Sequence, residues 1–199
     1  SCQGFSLAFF MLIFGGVRNT EKKFKSQIID ELGVKRALMR ISHEIVENCG
    51  NDSLYIVGIK RRGVPLSEII ADNIEKIEGK KPLCGQLDIK FYRDDLSSES
   101  ETPTVRNCEL EADVTGKTVV LVDDVLYTGR TVRAAIEAIF SLGRPSKIKL
   151  AILVDRGHRE LPLRADFVGK NIPTSRNEIV NVRIPPFDSE TGVFLYEKV

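Results

Sequence analysis

Apolar residues recur along the chain in two patterns, one with a helical period and one in short continuous runs. Within residues 30–48 they return every three or four positions, which predicts an amphipathic helix that ends at Gly50. The runs at 54–59 and 119–122 are apolar and rich in β-branched residues, as expected of strands buried on both faces. The patterns also predict helices over 65–77 and 132–142, and strands over 83–92 and 147–154 and near 166–168, 179–184 and 193–197.

Strands that alternate with helices predict an α/β fold, built as a mostly parallel, twisted sheet flanked by helices. A chain of 199 residues is long enough for one domain with a substantial core, and no repeat or linker divides it. Residues 94–113 are polar and lack apolar periodicity. Because so long a loop in a compact domain is usually functional or mobile, we interpret it as a flap that closes over a substrate.

Residues 5–17, FSLAFFMLIFGGV, stand apart because they are almost wholly apolar. They are too few to span a bilayer. They resemble the apolar centre of a signal peptide, yet no basic residues precede them and no clear A-x-A site follows. We therefore interpret residues 1–24 as an N-terminal extension outside the fold, in preference to a membrane anchor, and residues 25–199 as a single domain.

Composition narrows the classes of function. The net charge of +1 gives no global argument for nucleic acid, so any such site must be a local patch. The four cysteines lie far apart without a CxxC pair, and the chain has two histidines, which argues against a zinc site and against a disulfide framework. These features are typical of a reducing compartment, so we expect a cytoplasmic protein without membrane attachment.

The stretch at residues 117–131, KTVVLVDDVLYTGRT, carries the most chemistry. Its apolar strand ends in Asp123 and Asp124, and a turn with small residues then leads into a helix. The carboxylates can accept from hydroxyls or hold a hydrated cation, while the turn offers N–H groups and hydroxyls to a phosphate at the positive end of the helix. The stretch therefore predicts a site for a phosphorylated polyol. It is not a P-loop, and no GxGxxG dinucleotide fingerprint occurs in the chain.

Two other predicted strands also end in charged residues. Residues 60–63 read KRRG, which suits a diphosphate through side-chain charge and close backbone approach at the glycine. Residues 155–158 read DRGH. Because ligands of open α/β sheets bind at the carboxyl ends of strands, we expect both segments to converge on the acid pair.

The string VVLVDDVLYTGRT is similar to the phosphoribosyl-diphosphate (PRPP) motif of type I phosphoribosyltransferases. Segments LYIVGIKRRG at 54–63, FYRDDL at 91–96, LVDRGHRELPLRADFVGKNIPTS at 153–175 and RALMRISHE at 36–44 resemble one branch of these enzymes, the PyrR family. Its members are pyrimidine operon attenuators with uracil phosphoribosyltransferase activity. The resemblance covers residues 28–199 and implies a type I phosphoribosyltransferase-like fold with a small hood and a flexible flap.

The resemblance implies that uracil and PRPP react to give UMP and diphosphate. It implies catalytic roles for Asp123, Asp124 and Arg93, with both aspartates holding Mg²⁺ through water. Arg156 and Val180 match positions near the uracil or UMP base. Tyr127 stands where purine enzymes often carry an acid, which disfavours a purine, and no residue is an obvious proton acceptor for uracil. The implied PRPP-binding residues are Arg61, Arg62, Arg93, Asp123, Asp124, Val125, Leu126, Tyr127, Thr128, Gly129, Arg130 and Thr131.

The resemblance also implies binding of pyr operon leader mRNA in response to UMP or UTP, by a homodimer or higher homo-oligomer. Met39 and Asn48 depart from the threonine and arginine common in the family, and we expect the loss of those groups to weaken RNA binding or to shift its sequence preference. Basic residues along one face of a helix are also common where that face contacts only solvent, so this alternative stays open. The implied RNA-binding residues are Arg36, Arg40, His43, Lys60, His158, Arg164 and Lys170.

Two alternatives stay open at the level of sequence. One is a type I phosphoribosyltransferase for another base, without a role on RNA. The other is a nucleotide-sensing RNA regulator with little catalysis.

Overall fold

The structure, a computed structural model, describes residues 22–89, 108–110 and 112–199. Regular elements follow one another along this part of the chain in the order β1 (Lys22–Ile29), α1 (Glu31–Cys49), β2 (Leu54–Ile59), α2 (Gly63–Glu78), β3 (Leu83–Leu87), β4 (Cys108–Leu110), β5 (Thr118–Leu126), α3 (Arg130–Leu142), β6 (Lys147–Asp155), β7 (Phe167–Asn171), β8 (Glu178–Arg183) and β9 (Gly192–Lys198).

The larger sheet has its strands in the order β4-β3-β2-β5-β6-β7. Neighbours from β3 to β7 run parallel, whereas β4 pairs antiparallel with β3 at one edge. In the central strand β5, Val120 and Val122 face one core while Val119 and Leu121 face the other, as expected of a strand covered on both faces. The predicted α/β fold with a mostly parallel sheet is confirmed.

A second sheet, which we call the hood, joins β1, β9 and β8 in antiparallel pairs. It places Lys22 opposite Lys198 and so brings the two ends of the described chain together. Residues 22–24, which were predicted to belong to the N-terminal extension, therefore pair within the hood. The apolar residues 5–17 lie outside the described residues.

Helix α1 forms where the apolar period predicts it. Asp30 caps its start, because the Asp30 side chain accepts a hydrogen bond of 2.8 Å from the N–H of Gly33. Gly50, with φ of 65°, ends it. Helices α1 and α2 pack on one face of the sheet and α3 on the other. Within the described ranges, no helix is long and apolar enough to cross a membrane.

Several boundaries differ from the prediction. Helix α2 begins at Gly63 and α3 at Arg130, each two residues before the predicted start. Strand β5 continues to Leu126, so the two acids lie inside the strand and not after it. The strand predicted over 83–92 ends at Leu87, and most of the predicted flap lies outside the described residues, apart from β4 and residues 112–113.

Candidate functional site

A cavity of about 670 Å³ opens at the carboxyl ends of β5 and β6, between the main sheet and the hood. This is the edge at which open α/β sheets bind ligands. Among the predicted residues, Arg62, residues 123–131, Arg156 and Val180 meet here. The lining consists of Lys22, Arg62, residues 123–132, Arg156, Glu160, residues 179–182 and Lys198.

Two predicted PRPP contacts do not join this lining. Arg61 is exposed beside Arg62 and does not line the cavity. Arg93 lies outside the described residues.

The acid pair occupies the floor of the cavity. Asp123 is 9% exposed, and its Oδ1 accepts from the N–H of Asp124 at 2.9 Å. Burial raises the pKa of the Asp124 carboxyl, although a hydrogen bond with Asp123 and the charge of Arg62 act in the opposite direction. A cation or a hydroxyl donor arriving at this carboxyl would stabilise its ionised form.

The loop of residues 127–131, here called the 127–131 loop, turns the chain from β5 into α3. Gly129 has φ of 94°, a conformation that favours glycine, and it stands at the N-cap position of α3. The buried hydroxyl of Thr128 accepts from the N–H of Arg130 at 3.4 Å. The loop therefore presents the positive end of α3 to the cavity, where an anion is stabilised.

Arg62 reaches the cavity from the start of α2 and is fixed by the segment between β8 and β9. Its Nε and one terminal nitrogen donate to the two carboxylate oxygens of Asp188, each at 3.1 Å. Burial acts to raise the pKa of Asp188, but the hydrogen bonds from Arg62 and from the N–H of Ile184 outweigh it, so this pKa is lowered. The Lys60–Arg61 peptide bond that precedes Arg62 is cis.

The side chain of Arg156 ties residues 174–178, which lead from β7 into β8, to the 127–131 loop. It is 7% exposed and donates to Thr174 Oγ1 at 3.1 Å and to the carbonyl of Glu178 at 2.8 Å. Its guanidinium carbon lies 4.2 Å from the centre of the Tyr127 ring. Burial lowers the pKa of Arg156, while Tyr127 and Glu178 act to raise it.

Among the described strands, β8 lies at the edge of the hood, and this edge faces the cavity. The N–H of Lys198 donates to the carbonyl of Asn177, so alternation in this antiparallel pair directs Ile179 and Asn181 toward β9. The N–H and C=O of Val180 consequently point away from β9. Since Val180 lines the cavity, its backbone offers a donor and an acceptor there.

A metal would need donors from the substrate as well as from this chain. In the part of the chain that the structure describes, no group of three or more histidine, cysteine or acidic side chains could hold an ion. Two carboxylates in a cavity nevertheless fit Mg²⁺, which keeps several waters and is held by one or two carboxylates together with substrate phosphates.

Comparison with known proteins agrees with this geometry. Residues 25–185 match the phosphoribosyl transferase domain. The Bifunctional protein PyrR of Thermoanaerobacter sp. (strain X514) is 58% identical over 177 residues, which cover 88% of this chain and 99% of that protein. The protein of the same name from Caldicellulosiruptor bescii is 59% identical over 175 residues, covering 87% and 96%. The chain belongs to the PyrR family.

Solved structures show the same fold at low sequence identity. A hypoxanthine phosphoribosyltransferase from Trypanosoma cruzi, a mutant in a ternary substrates complex, has a TM-score of 0.69 at 17% identity, covering 86% of this chain and 95% of that one. A hypoxanthine-guanine phosphoribosyltransferase from Bacillus anthracis has a TM-score of 0.67 at 16% identity, covering 89% and 99%. The type I phosphoribosyltransferase-like fold predicted for this PyrR-family chain is thus confirmed.

The predicted RNA-binding residues are spread over several surfaces. Arg36 and His43 are exposed on α1. Arg40 donates to the carbonyls of Val168 at 2.9 Å and Gly169 at 2.7 Å, which ties α1 to β7 beside the exposed Lys170. These residues form one basic face on α1 and β7.

The other three predicted RNA contacts lie elsewhere. Lys60 follows β2, and His158 follows β6 with its Nε2 2.6 Å from the carbonyl of Thr174, so that this nitrogen carries the proton. Arg164 is exposed between Leu163 and Ala165, which pack on the α3 side of the sheet, opposite α1.

Sequence reasoning missed two residues that organise the site. Asp188, which fixes Arg62, lies in a turn far along the chain and shows no local signal. Arg159 donates to the carbonyl of Tyr127, which lines the cavity, and to that of Gly157. It directly follows the DRGH segment, and the acid at Asp155 four residues earlier was a usable signal of an ion pair.

Proposed function

We propose that this PyrR-family chain transfers a phosphoribosyl group from PRPP to uracil, giving UMP and diphosphate, and binds pyr operon leader RNA in response to uridine nucleotides. The observation that carries the enzymatic part is the convergence of Asp123 and Asp124, the 127–131 loop and Arg62 on one cavity. Identity of 58% over almost the whole length of a Bifunctional protein PyrR supports both parts.

The 127–131 loop binds the 5′-phosphate of PRPP through its N–H groups and hydroxyls at the start of α3. The carboxylates of Asp123 and Asp124 accept from the ribose hydroxyls. Displacement at the anomeric carbon leaves an electron-poor ribose, which these two carboxylates stabilise by charge and by fixed position.

The diphosphate leaves toward Arg61 and Arg62, with Arg93 as a further candidate. Arg62 is already oriented by Asp188, so little freedom is lost when it meets the diphosphate. Asp123 and Asp124 would hold Mg²⁺ through water, and the ion, when bound, neutralises charge on the diphosphate.

Uracil lies against the edge of β8. A pyrimidine-dione presents carbonyl acceptors on either side of a ring N–H donor. The N–H of Val180 can donate to such a carbonyl, and the C=O of Val180 can accept from the ring N–H. Tyr127, held by Arg156, presents an aromatic ring and not the acid that purine enzymes often carry at this position. No described side chain is assigned as the acceptor of the uracil N1 proton.

The basic face of α1 and β7, with Lys60, His158 and Arg164, binds the leader RNA through phosphate contacts and base-edge hydrogen bonds. A cytoplasmic homodimer or higher homo-oligomer completes the proposal, to be tested by light scattering of the purified protein.

Incubation with Mg²⁺, PRPP and labelled uracil tests the enzymatic part. UMP is the expected product, and its absence at enzyme concentrations near that of the substrate would leave only the nucleotide-sensing regulator. Hypoxanthine, guanine and orotate in the same assay test for an enzyme that acts on another base. The same assay without Mg²⁺ tests whether formation of UMP requires the metal.

Titration of a pyr leader hairpin with and without UMP, at two salt concentrations, tests the RNA part. We expect tighter binding than to an unrelated hairpin, and tighter still with UMP. Equal affinity for both hairpins would contradict the attenuator role while leaving the enzymatic part intact.

A further inference from the structure

The segment of residues 155–163, which begins at the last residue of β6, packs against the 127–131 loop. The N–H groups of Glu160 and Leu161 both donate to the carbonyl of Thr128, at 3.0 and 3.2 Å. The side chains of Leu161 and Leu163 pack around Gly129, within 3.5 and 3.4 Å of the place a Cβ would take there. The segment therefore fixes the backbone of this loop at successive residues.

Arg159 forms the centre of this contact. One terminal nitrogen of its guanidinium donates to the carbonyls of Tyr127 at 2.8 Å, Gly157 at 3.1 Å and Leu126 at 3.2 Å. Its Nε donates to the carbonyl of Leu163 at 3.2 Å. The other terminal nitrogen pairs with the carboxylate of Asp155.

The orientation of this guanidinium is thus set from several directions at once. The second carboxylate oxygen of Asp155 accepts from the N–H of Gly157 at 2.9 Å, so the acid is itself fixed. Arg159 is absent from the cavity lining, whereas Tyr127 and Leu126, whose carbonyls it binds, belong to it. Arg159 consequently acts on a ligand only through the loop.

We propose that Arg159 is a positioning residue for PRPP: by holding the carbonyls of Leu126 and Tyr127, it aims the N–H groups of the 127–131 loop at the 5′-phosphate. This inference rests on the proposed phosphoribosyl transfer. A lysine cannot replace Arg159, because an ammonium lacks the planar fork that serves several carbonyls and a carboxylate together.

Steady-state kinetics of Arg159→Lys and Arg159→Gln test the proposal. We expect the KM for PRPP to rise roughly ten- to a hundredfold in both, since a displacement of about 1 Å in a positioning element can cost that much, with little change in the KM for uracil. Asp155→Asn keeps Arg159 and its carbonyl bonds, so a smaller rise in the same direction is expected. The matched control is Arg144→Gln, at an exposed residue between α3 and β6, near the amino ends of the parallel strands.

A second measurement separates positioning from folding and from the proposed reaction. Calorimetric titration with ribose 5-phosphate should give weaker binding for both Arg159 variants than for the native chain, with unchanged far-ultraviolet circular dichroism. Unchanged binding and KM for PRPP in the folded variants, or equal rises in KM for PRPP and uracil, would overturn the inference. A native chain that binds ribose 5-phosphate but forms no UMP would refute the proposed reaction alone.

Discussion

The cavity at the end of β5 and the basic face of α1 both carry charged side chains, but the chain holds them in different ways. In the cavity, Arg62 is fixed by Asp188, and Arg156 by the carbonyls of Ser175 and Glu178. On α1, Arg36 and His43 are exposed to solvent. The first set is positioned before a ligand arrives, whereas the second must be ordered by its partner.

Arg40 lies between these two extremes. It is exposed on α1, yet it bonds to carbonyls of β7 and to Glu44. A basic residue on a helix face can thus be part of the scaffold as well as a contact for RNA. Single changes should therefore have large effects in the cavity and small, salt-dependent effects on the basic face.

The largest effect is expected from Asp124→Asn. Loss of this carboxylate removes charge that stabilises the electron-poor ribose, so kcat/KM for PRPP should fall by about a hundredfold or more. Initial rates of UMP formation measure this. Asp113→Asn, whose carboxylate bonds to Thr115 before β5, is the matched control and should be unaffected. Similar rates in the two variants would remove Asp124 from the mechanism.

A pH dependence of PRPP binding should follow from the same carboxyl. Burial raises the pKa of Asp124, and the ionised form is the one that accepts hydroxyls or a hydrated cation. Affinity for PRPP with Mg²⁺ should therefore be full above the raised pKa and decrease as pH falls through it. Calorimetry between about pH 4.5 and 8 measures this, and Asp124→Asn should flatten the profile. A profile unchanged in that variant would assign the titration to another group.

The free energy of unfolding should depend on pH in the opposite direction to PRPP binding. The folded-state pKa of Asp124 lies above its unfolded value, so the folded chain binds the extra proton between the two values. This group's contribution to the free energy of unfolding is therefore greatest at low pH and decreases as pH rises through that window.

A smaller effect is expected at Tyr127. Tyr127→Ala removes the ring that contacts Arg156, and we expect the KM for uracil to rise about tenfold, since one cation–π contact and its packing are worth on the order of 1–2 kcal/mol. Tyr127→Phe keeps the ring and should behave as the native chain. If the phenylalanine variant is impaired as strongly as the alanine variant, the hydroxyl and not the ring is what matters.

The smallest effects are expected on α1. Arg36→Ala and His43→Ala should each weaken binding of a leader hairpin only severalfold, and Arg36→Ala should reduce the salt slope by about one. Electrophoretic mobility or anisotropy at two salt concentrations measures both. Lys76→Ala, exposed on α2, is the control for loss of one positive charge. A loss as large as that expected for Asp124→Asn would mean that the basic face is preorganised after all.

Sequence pattern predicted the central strands β2 and β5 because they are buried on both faces, whereas β4 lies in the stretch predicted to be a loop. The prediction of β2 over 54–59 agrees with the structure, where every residue of Leu54–Ile59 is buried. The same pattern did not predict β1, KKFKSQII, because that strand is mostly exposed and its apolar residues do not alternate regularly with polar ones. β1 is a strand through its pairing with β9, which lies at the other end of the chain.

The same distinction holds within the site. The acid pair and the 127–131 loop are contiguous in sequence, so one motif was enough to predict them. Arg62 with Asp188 joins residues 126 positions apart, and no local pattern links them. Arg156 was predicted beside the base, and it does line the cavity, but the partners that fix its guanidinium come from the segment after β7.

Gly63 fixes the separation between the start of α2 and strand β5 beside the cavity. A Cβ at this position would lie 2.3 Å from the carbonyl oxygen of Val122, the residue just before the acid pair. The backbone that follows Arg62 therefore rests directly on β5, with no side chain between them to act as a spacer. In the proposed mode of PRPP binding, the distance between the diphosphate at Arg62 and the ribose at the acid pair is set by these two backbones in contact, so we expect substrates to be selected by the span between their phosphates as well as by their base.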